Sequence, residues 1–346
     1  MLVRVIVVSV RGSCLCIGIE QPELKYVSAA RELPGCRPRS KLKLSTLEPY
    51  PVSKSFHQSL QCPAMLSHSN LISDSALVEE TFELLSNNGG RLAVSEIADV
   101  VFRLSHADEA LSASLVGELI RNDPRFNLQA NYLTITRDPV EHRPLNEIDF
   151  VVLDAEAIGA KGLPARVIEL GAYHVRSGKI TDKFQSLIDP GVPLPRFIAA
   201  LTGISDQMLK TAPKFAEIAD AWLDFAGDSV LVAHNSKFDL ALLNREIGRV
   251  FPGCRMRNAE LCTVKLARRI MCDLDSHSLD ALAEYFGLEI TERHRAASDA
   301  FATAEVFLRL LDRLESQGVR TLLEARSFRA IPEESSALRR QSTLDV

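Results

Sequence analysis

Residues 150–156 read FVVLDAE, four apolar residues followed by carboxylates at alternate positions, Asp154 and Glu156. A short apolar run of this kind suits a buried strand, and the strand period of two sets Asp154 and Glu156 on one face. Two further stretches carry the same acidic signature. Residues 231–243, LVAHNSKFDLALL, break an apolar strand at His234-Asn235 and begin a helix near Asp239. Residues 294–307, HRAASDAFATAEVF, place a loop histidine, His294, five residues ahead of Asp299, read as opening an amphipathic helix. Carboxylates drawn together from three separate elements repel strongly unless cations lie between them. The counter-charge that suits them is a pair of Mg²⁺ or Mn²⁺ ions, hard cations that take oxygen ligands. Two-metal hydrolysis of a phosphodiester is the chemistry this implies.

Around that centre the pattern is mixed α/β from Asp149 to about Arg326. Strands are expected at Phe150–Asp154, Val167–Val175, Phe184–Ile188 and Val230–Ala233. Helices are expected at Phe215–Phe225, Leu240–Val250, Thr263–Ile270, Leu279–Phe286 and Ala300–Glu315. The first three strands suit an antiparallel meander, with the later strand joining beside the first through a helical crossover.

Upstream, residues 71–137 suggest three helices and a terminal hairpin, hence a small winged helix-turn-helix domain. Asn87-Asn88-Gly89-Gly90 supplies a left-handed end to its first helix, and Ser95 a cap near the second. The segment IRNDPRFNLQANYLTI (residues 120–135) resembles HARE-type winged-helix domains. DNA binding through the third helix is one role for such a unit. Against it, that helix carries Glu109 and Glu118, with only Arg121 at its end, so docking is the competing role. The remaining divisions are a basic, poorly ordered extension over 1–70, a linker over 138–148, the α/β domain over 149–326 and a flexible tail over 327–346. Met65 precedes better-patterned sequence, so residues 1–65 also fit a mistaken translation start.

The chain has 346 residues, 46% hydrophobic and 25% charged, which leaves room for two domains and a real core. Its net charge of −5 argues against a broadly basic nucleic-acid binder. A nuclease remains compatible, because divalent ions invert the charge of an acidic centre locally. No apolar run nears the ~20 residues of a membrane span, and no secretory cleavage site follows the N-terminal apolar stretch. The seven cysteines are odd in number and contain no C-x-x-C pair, which supports neither a zinc site nor a disulfide framework. A reducing, cytoplasmic setting is the expectation.

Residues 149–315 resemble the DEDDh 3′→5′ exonuclease superfamily, in particular the proofreading ε-subunit type of bacterial DNA polymerase III. The matching segments run in order: FVVLDAE, RVIELGAY, FQSLIDPGVPLP, LTGISDQML, LVAHNSKFD, LCTVKLAR, HSLDALAEYFGL and HRAASDAFATAEVFLRLL. The resemblance implies an RNase H-like fold, a mixed five-stranded sheet flanked by helices, with two Mg²⁺ or Mn²⁺ ions. It implies nucleoside monophosphates released from single-stranded or frayed DNA 3′ ends, beside a polymerase or in a repair complex. Asp154 would bridge both metals, Glu156 and Asp299 would complete the tighter site, and Asp239 would serve the leaving-group side. His294 would be the general base, on a loop that lets it approach when substrate is present. Asn235 would fix the turn that presents Asp239. Family members commonly have Thr or Ser after the first Glu, where this chain has Ala157, so altered substrate affinity or preference is expected there. The rival readings are an exoribonuclease of the same superfamily and a winged-helix DNA-binding regulator with an inactive exonuclease fold.

Overall fold

The computed structural model describes residues 68–121, 123–136, 139–159 and 165–329, together with the backbone of residues 3–10, 13–20 and 25–30. Those three early stretches are strands β1 (Val3–Val10), β2 (Ser13–Glu20) and β3 (Lys25–Ala30), paired as an antiparallel meander. The β-branched run Val5-Ile6-Val7-Val8 suits that conformation. Of the poorly ordered extension expected over residues 1–70, residues 31–67 lie outside the described residues.

After strand β4 (Leu71–Ser73) comes a small helical unit. It comprises α1 (Ala76–Asn87), β5 (Arg91–Ala93), α2 (Val94–Val101), α3 (Glu109–Leu119), β6 (Phe126–Gln129) and β7 (Tyr132–Ile135). The strands make an antiparallel sheet in the order β5-β7-β6. Val78, Leu85, Ile97, Val101, Val116 and Leu133 fill its core, each worth about 1.5–3 kcal/mol when fully buried. Asp108 caps α3 by accepting the Leu111 N–H at 2.7 Å.

The second unit takes in residues 68–72 and 137 onward. The stretch read as a linker is packed: Val140 and Ile148 enter its core, because their apolar side chains have a hydrophobic surface to cover. The main strands are β8 (Phe150–Ile158), β9 (Arg166–Arg176), β10 (Lys179–Leu187) and β11 (Val230–Ala233). The helices that follow the meander are α4 (Arg196–Thr202), α5 (Asp206–Lys210), α6 (Phe215–Ala226) and α7 (Ser236–Val250). Two short strands come next, β12 (Cys254–Met256) and β13 (Glu260–Cys262), then α8 (Thr263–Ile270), α9 (Leu279–Phe286), α10 (Ala296–Ser316) and α11 (Leu322–Ser327). β12 pairs with β4 in a separate two-stranded ladder.

The main sheet has the order β10-β9-β8-β11-β13, antiparallel through β8 and parallel beyond it. This is the mixed five-stranded sheet expected from the sequence. Its faces follow from register. Val152 pairs with Tyr173, and Tyr173 meets Phe301 of α10 edge-on at 5.3 Å, so α10 covers the Phe150–Val152 face. Phe150 itself meets Phe307 at 4.9 Å. Leu153 pairs with Ala172 and Ala172 with Phe184, whose ring lies 5.6 Å from Trp222, so α6 covers the opposite face. On the α10 side, the row Phe150, Val152 continues into Asp154 and Glu156. The strand that anchors the core therefore runs its acids out along the same face.

Among the described residues Cys262 and Cys272 are free thiols, whereas Cys254 is disulfide-bonded. The odd count and spacing supported no disulfide framework, and the bond at Cys254 departs from that. No described helix is long and apolar enough to cross a membrane.

Candidate active site

Asp154 and Glu156 project from β8 as the strand period requires. Immediately after Glu156 the ladder slips: Glu156 faces Glu169, but Ala157 faces Val167. A bulge of this sort re-aims side chains near a strand end. Ala157 is half-buried beside it.

Asp239 arrives from the first turn of α7, which starts where β11 ends. Asn235, just before the helix, has a left-handed backbone (φ 78°), a conformation Asn tolerates better than most residues. Its exposed side chain caps nothing; its backbone carbonyl accepts the Phe238 N–H at 2.9 Å. Asp239 is 4% exposed, and its Oδ1 accepts the Ala155 N–H of β8 at 3.2 Å. The helix thus hooks onto the strand that bears the first two acids.

Asp299 lies in the first turn of α10, 4% exposed, near the positive end of the helix dipole. Helices α7 and α10 both begin about one turn earlier than expected, at Ser236 and Ala296, so Asp239 and Asp299 sit within the helices rather than opening them. Extended backbone at Arg295 and the left-handed turn at Asn235 mark the true starts. Asp299 Oδ2 accepts the His294 N–H at 3.1 Å and an ion pair from Arg293. Asp299 Oδ1 is buried with no partner. His294, half-buried, occupies a left-handed turn (φ 61°). One ligand atom each from Glu156, His294 and Asp299 falls within a 4.8 Å span.

The energetic signature is mutual repulsion. Burial pushes the Asp154 carboxyl well above its ordinary range, and the charges of Asp239, Asp299 and Glu156 push it further. Burial, then Asp299 and Glu169, raise Glu156 to about 7. Asp239 also rises to about 7, mainly through burial and against the Ala155 hydrogen bond. Such a group holds cations readily, and the unpartnered Asp299 Oδ1 is the type of oxygen a hard cation takes.

His234 and His277 each make a local hydrogen bond in the protein. His234 Nδ1 lies 2.9 Å from Thr263 Oγ1, and burial with Arg293 nearby lowers its pKa to about 4. His277 Nε2 lies 2.9 Å from the Met271 carbonyl.

Four residues that hold the His294 loop carry little signal in the sequence. Arg293 bonds Asp280 through Nε at 2.6 Å, and Arg295 bonds the fully buried Glu169 through Nε at 3.0 Å and Nη2 at 2.9 Å. Glu169 Oε2 also accepts the Ala296 N–H at 3.1 Å, pinning the start of α10 to β9. The available signal was a charged residue inside the apolar run VIELGAY. Gly171 carries little signal as well. A Cβ there would come within 2.5 Å of Ala297 N, Ala296 C and Ala297 Cα, so α10 rests directly on β9.

The elevated values predict a proton-linked stability. The folded protein without metal keeps protons on Glu156 and Asp239 up to about 7, whereas the unfolded chain releases them near 4.5 and 3.8. Between those limits the folded state binds more protons, so stability falls as pH rises. A metal bound to these carboxylates would have to displace the same protons, so its stabilising effect would rise across that window. The melting-temperature shift on adding Mn²⁺ should be larger at pH 7.5 than at pH 5.5, and a pH-independent shift would contradict these assignments.

A family model described as Exonuclease (RNase_T) matches residues 151–307. The DNA polymerase III subunit epsilon of Aquifex aeolicus is 41% identical over 165 residues, spanning 48% of this chain and 81% of that protein. The PolC-type DNA polymerase III of Caldanaerobacter subterraneus subsp. tengcongensis is 38% identical over 181 residues, 52% of this chain but only 13% of that polymerase. A solved structure of Exonuclease X with 5′-overhanging duplex DNA is 27% identical, covering 49% of this chain and 93% of that one, with a TM-score of 0.38. By the family match and by the extent of the epsilon subunit that it covers, this chain belongs to the DEDDh superfamily of 3′→5′ exonucleases.

Proposed function

We propose that this protein removes nucleoside monophosphates from the 3′ ends of DNA, single-stranded or frayed, by metal-dependent hydrolysis. The observation that carries the reading is the convergence of Asp154, Glu156, Asp239 and Asp299 with His294 around β8, the central strand of the sheet. Asp154, Glu156, Asp239 and Asp299 would hold two divalent ions, Mg²⁺ or Mn²⁺. When bound, these supply charge neutralisation for the phosphodiester and acidify water. The chain's own part is to fix the carboxylates in advance: Asp239 through the Ala155 amide, Asp299 through the His294 amide. His294 takes the proton from the attacking water, in a loop held on both sides by arginine–carboxylate pairs. Ala157 and Asn235 border the terminal nucleotide. Cations held there would offset the substrate's charge locally, which is compatible with a nucleic-acid substrate for a chain of net charge −5.

His294→Ala is expected to lower turnover by roughly 10²–10⁴-fold, the usual range for a general base, with Mn²⁺ affinity retained. Loss of that affinity in calorimetric titration would contradict the base assignment. Substrate class is tested by the turnover of matched DNA and RNA oligonucleotides. Faster cleavage of DNA supports the reading; faster cleavage of RNA would make the protein an exoribonuclease.

Residues 71–137 are proposed to be a winged helix-turn-helix domain that docks the enzyme on a polymerase or repair assembly. The exposed side chains of α3 are Glu109, Ala110 and Glu118, a face poorly suited to phosphates. Arg121 is paired with Glu118, and Arg125 with Asp123 and Glu79. These pairs favour protein docking over duplex reading.

A further inference from the structure

Arg293 does more than hold the His294 loop, because it also reaches Asp299 in the acid cluster. Its guanidinium is held at one end by Asp280, in the first turn of α9, through Nε at 2.6 Å and Nη2 at 3.2 Å. Its other end, Nη1, lies on Asp299 Oδ2. The planar fork suits this double grip, with the Asp280 side acting as a tether and the Asp299 side reaching into the acid cluster. Asp299 Oδ2 also accepts the His294 N–H, while Oδ1 has no partner. The two oxygens of one carboxylate are therefore unequally committed.

We propose that Arg293 and a divalent cation compete for Asp299, so that Arg293 sets how tightly the site holds its metal. A cation that draws on Oδ2 has to displace Nη1. One that draws on Oδ1 alone still settles beside a fixed positive charge. Neither conflict is relieved by proton loss, because a guanidinium stays protonated in proteins. The tether to Asp280 keeps the competitor at hand, since a side chain restrained at one end returns to its partner readily. Arg293 thus acts in two senses. It offsets the repulsion among Asp154, Glu156 and Asp299, and it opposes the ion that would offset it more fully.

The inference rests on the proposed metal-binding reading of the site. It differs from a scaffolding role by the sign of one measurement. A residue that merely held the site in shape would bind metal less well when removed; a competitor, when removed, leaves the metal bound more tightly. Mn²⁺ titration by calorimetry of the full chain, wild type against Arg293→Gln, reads that sign. The expected result is a dissociation constant lower by roughly tenfold, the equivalent of one charge-assisted hydrogen bond. Arg293→Lys, which keeps the charge but gives up the fork, is expected to fall between the two and serves if the glutamine variant does not fold. Equal or weaker Mn²⁺ binding in the variants would overturn the competition while leaving the metal reading intact. If neither wild type nor variant binds Mn²⁺, the metal reading falls and the competition with it. The same samples in chelator give a second readout: Arg293→Gln should melt at a lower temperature than wild type, and a higher one would contradict the counter-ion role.

Discussion

Asp154→Asn is expected to cut nuclease activity by roughly 10³-fold or more, the several kcal/mol that paired metals supply. In chelator, the same substitution should raise the melting temperature. Both effects have one cause. The Asp154 carboxyl is pushed upward by burial and then by three acidic neighbours, so its charge is costly to the fold. Asparagine keeps the shape and removes the charge, along with the means of holding cations. A gain of one kcal/mol corresponds to about 2–4 °C in a unit of this size. Thermal unfolding in chelator, beside a turnover assay with Mg²⁺, checks both arms. A variant that is inactive and less stable would point to a structural Asp154; an active one would remove it from the reaction.

Gly171→Ala is the second large effect, and it acts without touching any acid. Gly171 pairs with Asp154 in the ladder, and its missing Cβ is where the backbone of Ala296 and Ala297 lies. Since the obstruction is backbone, no side-chain rotation relieves it. Either α10 retreats from β9 or β9 bends, at a cost of about 1–3 kcal/mol for overpacking of this kind. Retreat carries Asp299 and His294 away from Asp154 and Glu156. A displacement near 1 Å is enough to reduce turnover by about 10²-fold. The expected pattern is a folded, less stable protein with a severe loss in kcat. Unchanged kcat would show that the contact between α10 and β9 does not set the site.

The two substitutions mark what was legible in the sequence. The acids stood out, because strand alternation is local and Asp154, Glu156, Asp239 and Asp299 each interrupt an apolar pattern, although α7 and α10 begin a turn earlier than that pattern suggested. The sheet order from β10 to β11 was legible too. Strand β13 was not, since three residues, Glu260–Cys262, give no period to read. Helices α4 and α5 were missed for the same reason, being short. The arginine clasps escaped because their partners are remote: Arg293 meets Asp280 across 13 positions and Arg295 meets Glu169 across 126. Gly171 escaped because its importance lies in an atom it lacks. What periodicity conveys is which face a residue takes, and what it omits is which distant backbone presses on that face.

The proposed function requires these acids to hold metal and cut DNA from its 3′ end. A 5′-labelled single-stranded DNA, incubated with purified protein and Mg²⁺, puts that to the test. A ladder shortening one nucleotide at a time from the 3′ end, abolished by chelator and by Asp154→Asn, is the result predicted. A strand left intact in both Mg²⁺ and Mn²⁺, or cut equally well by Asp154→Asn, would contradict it.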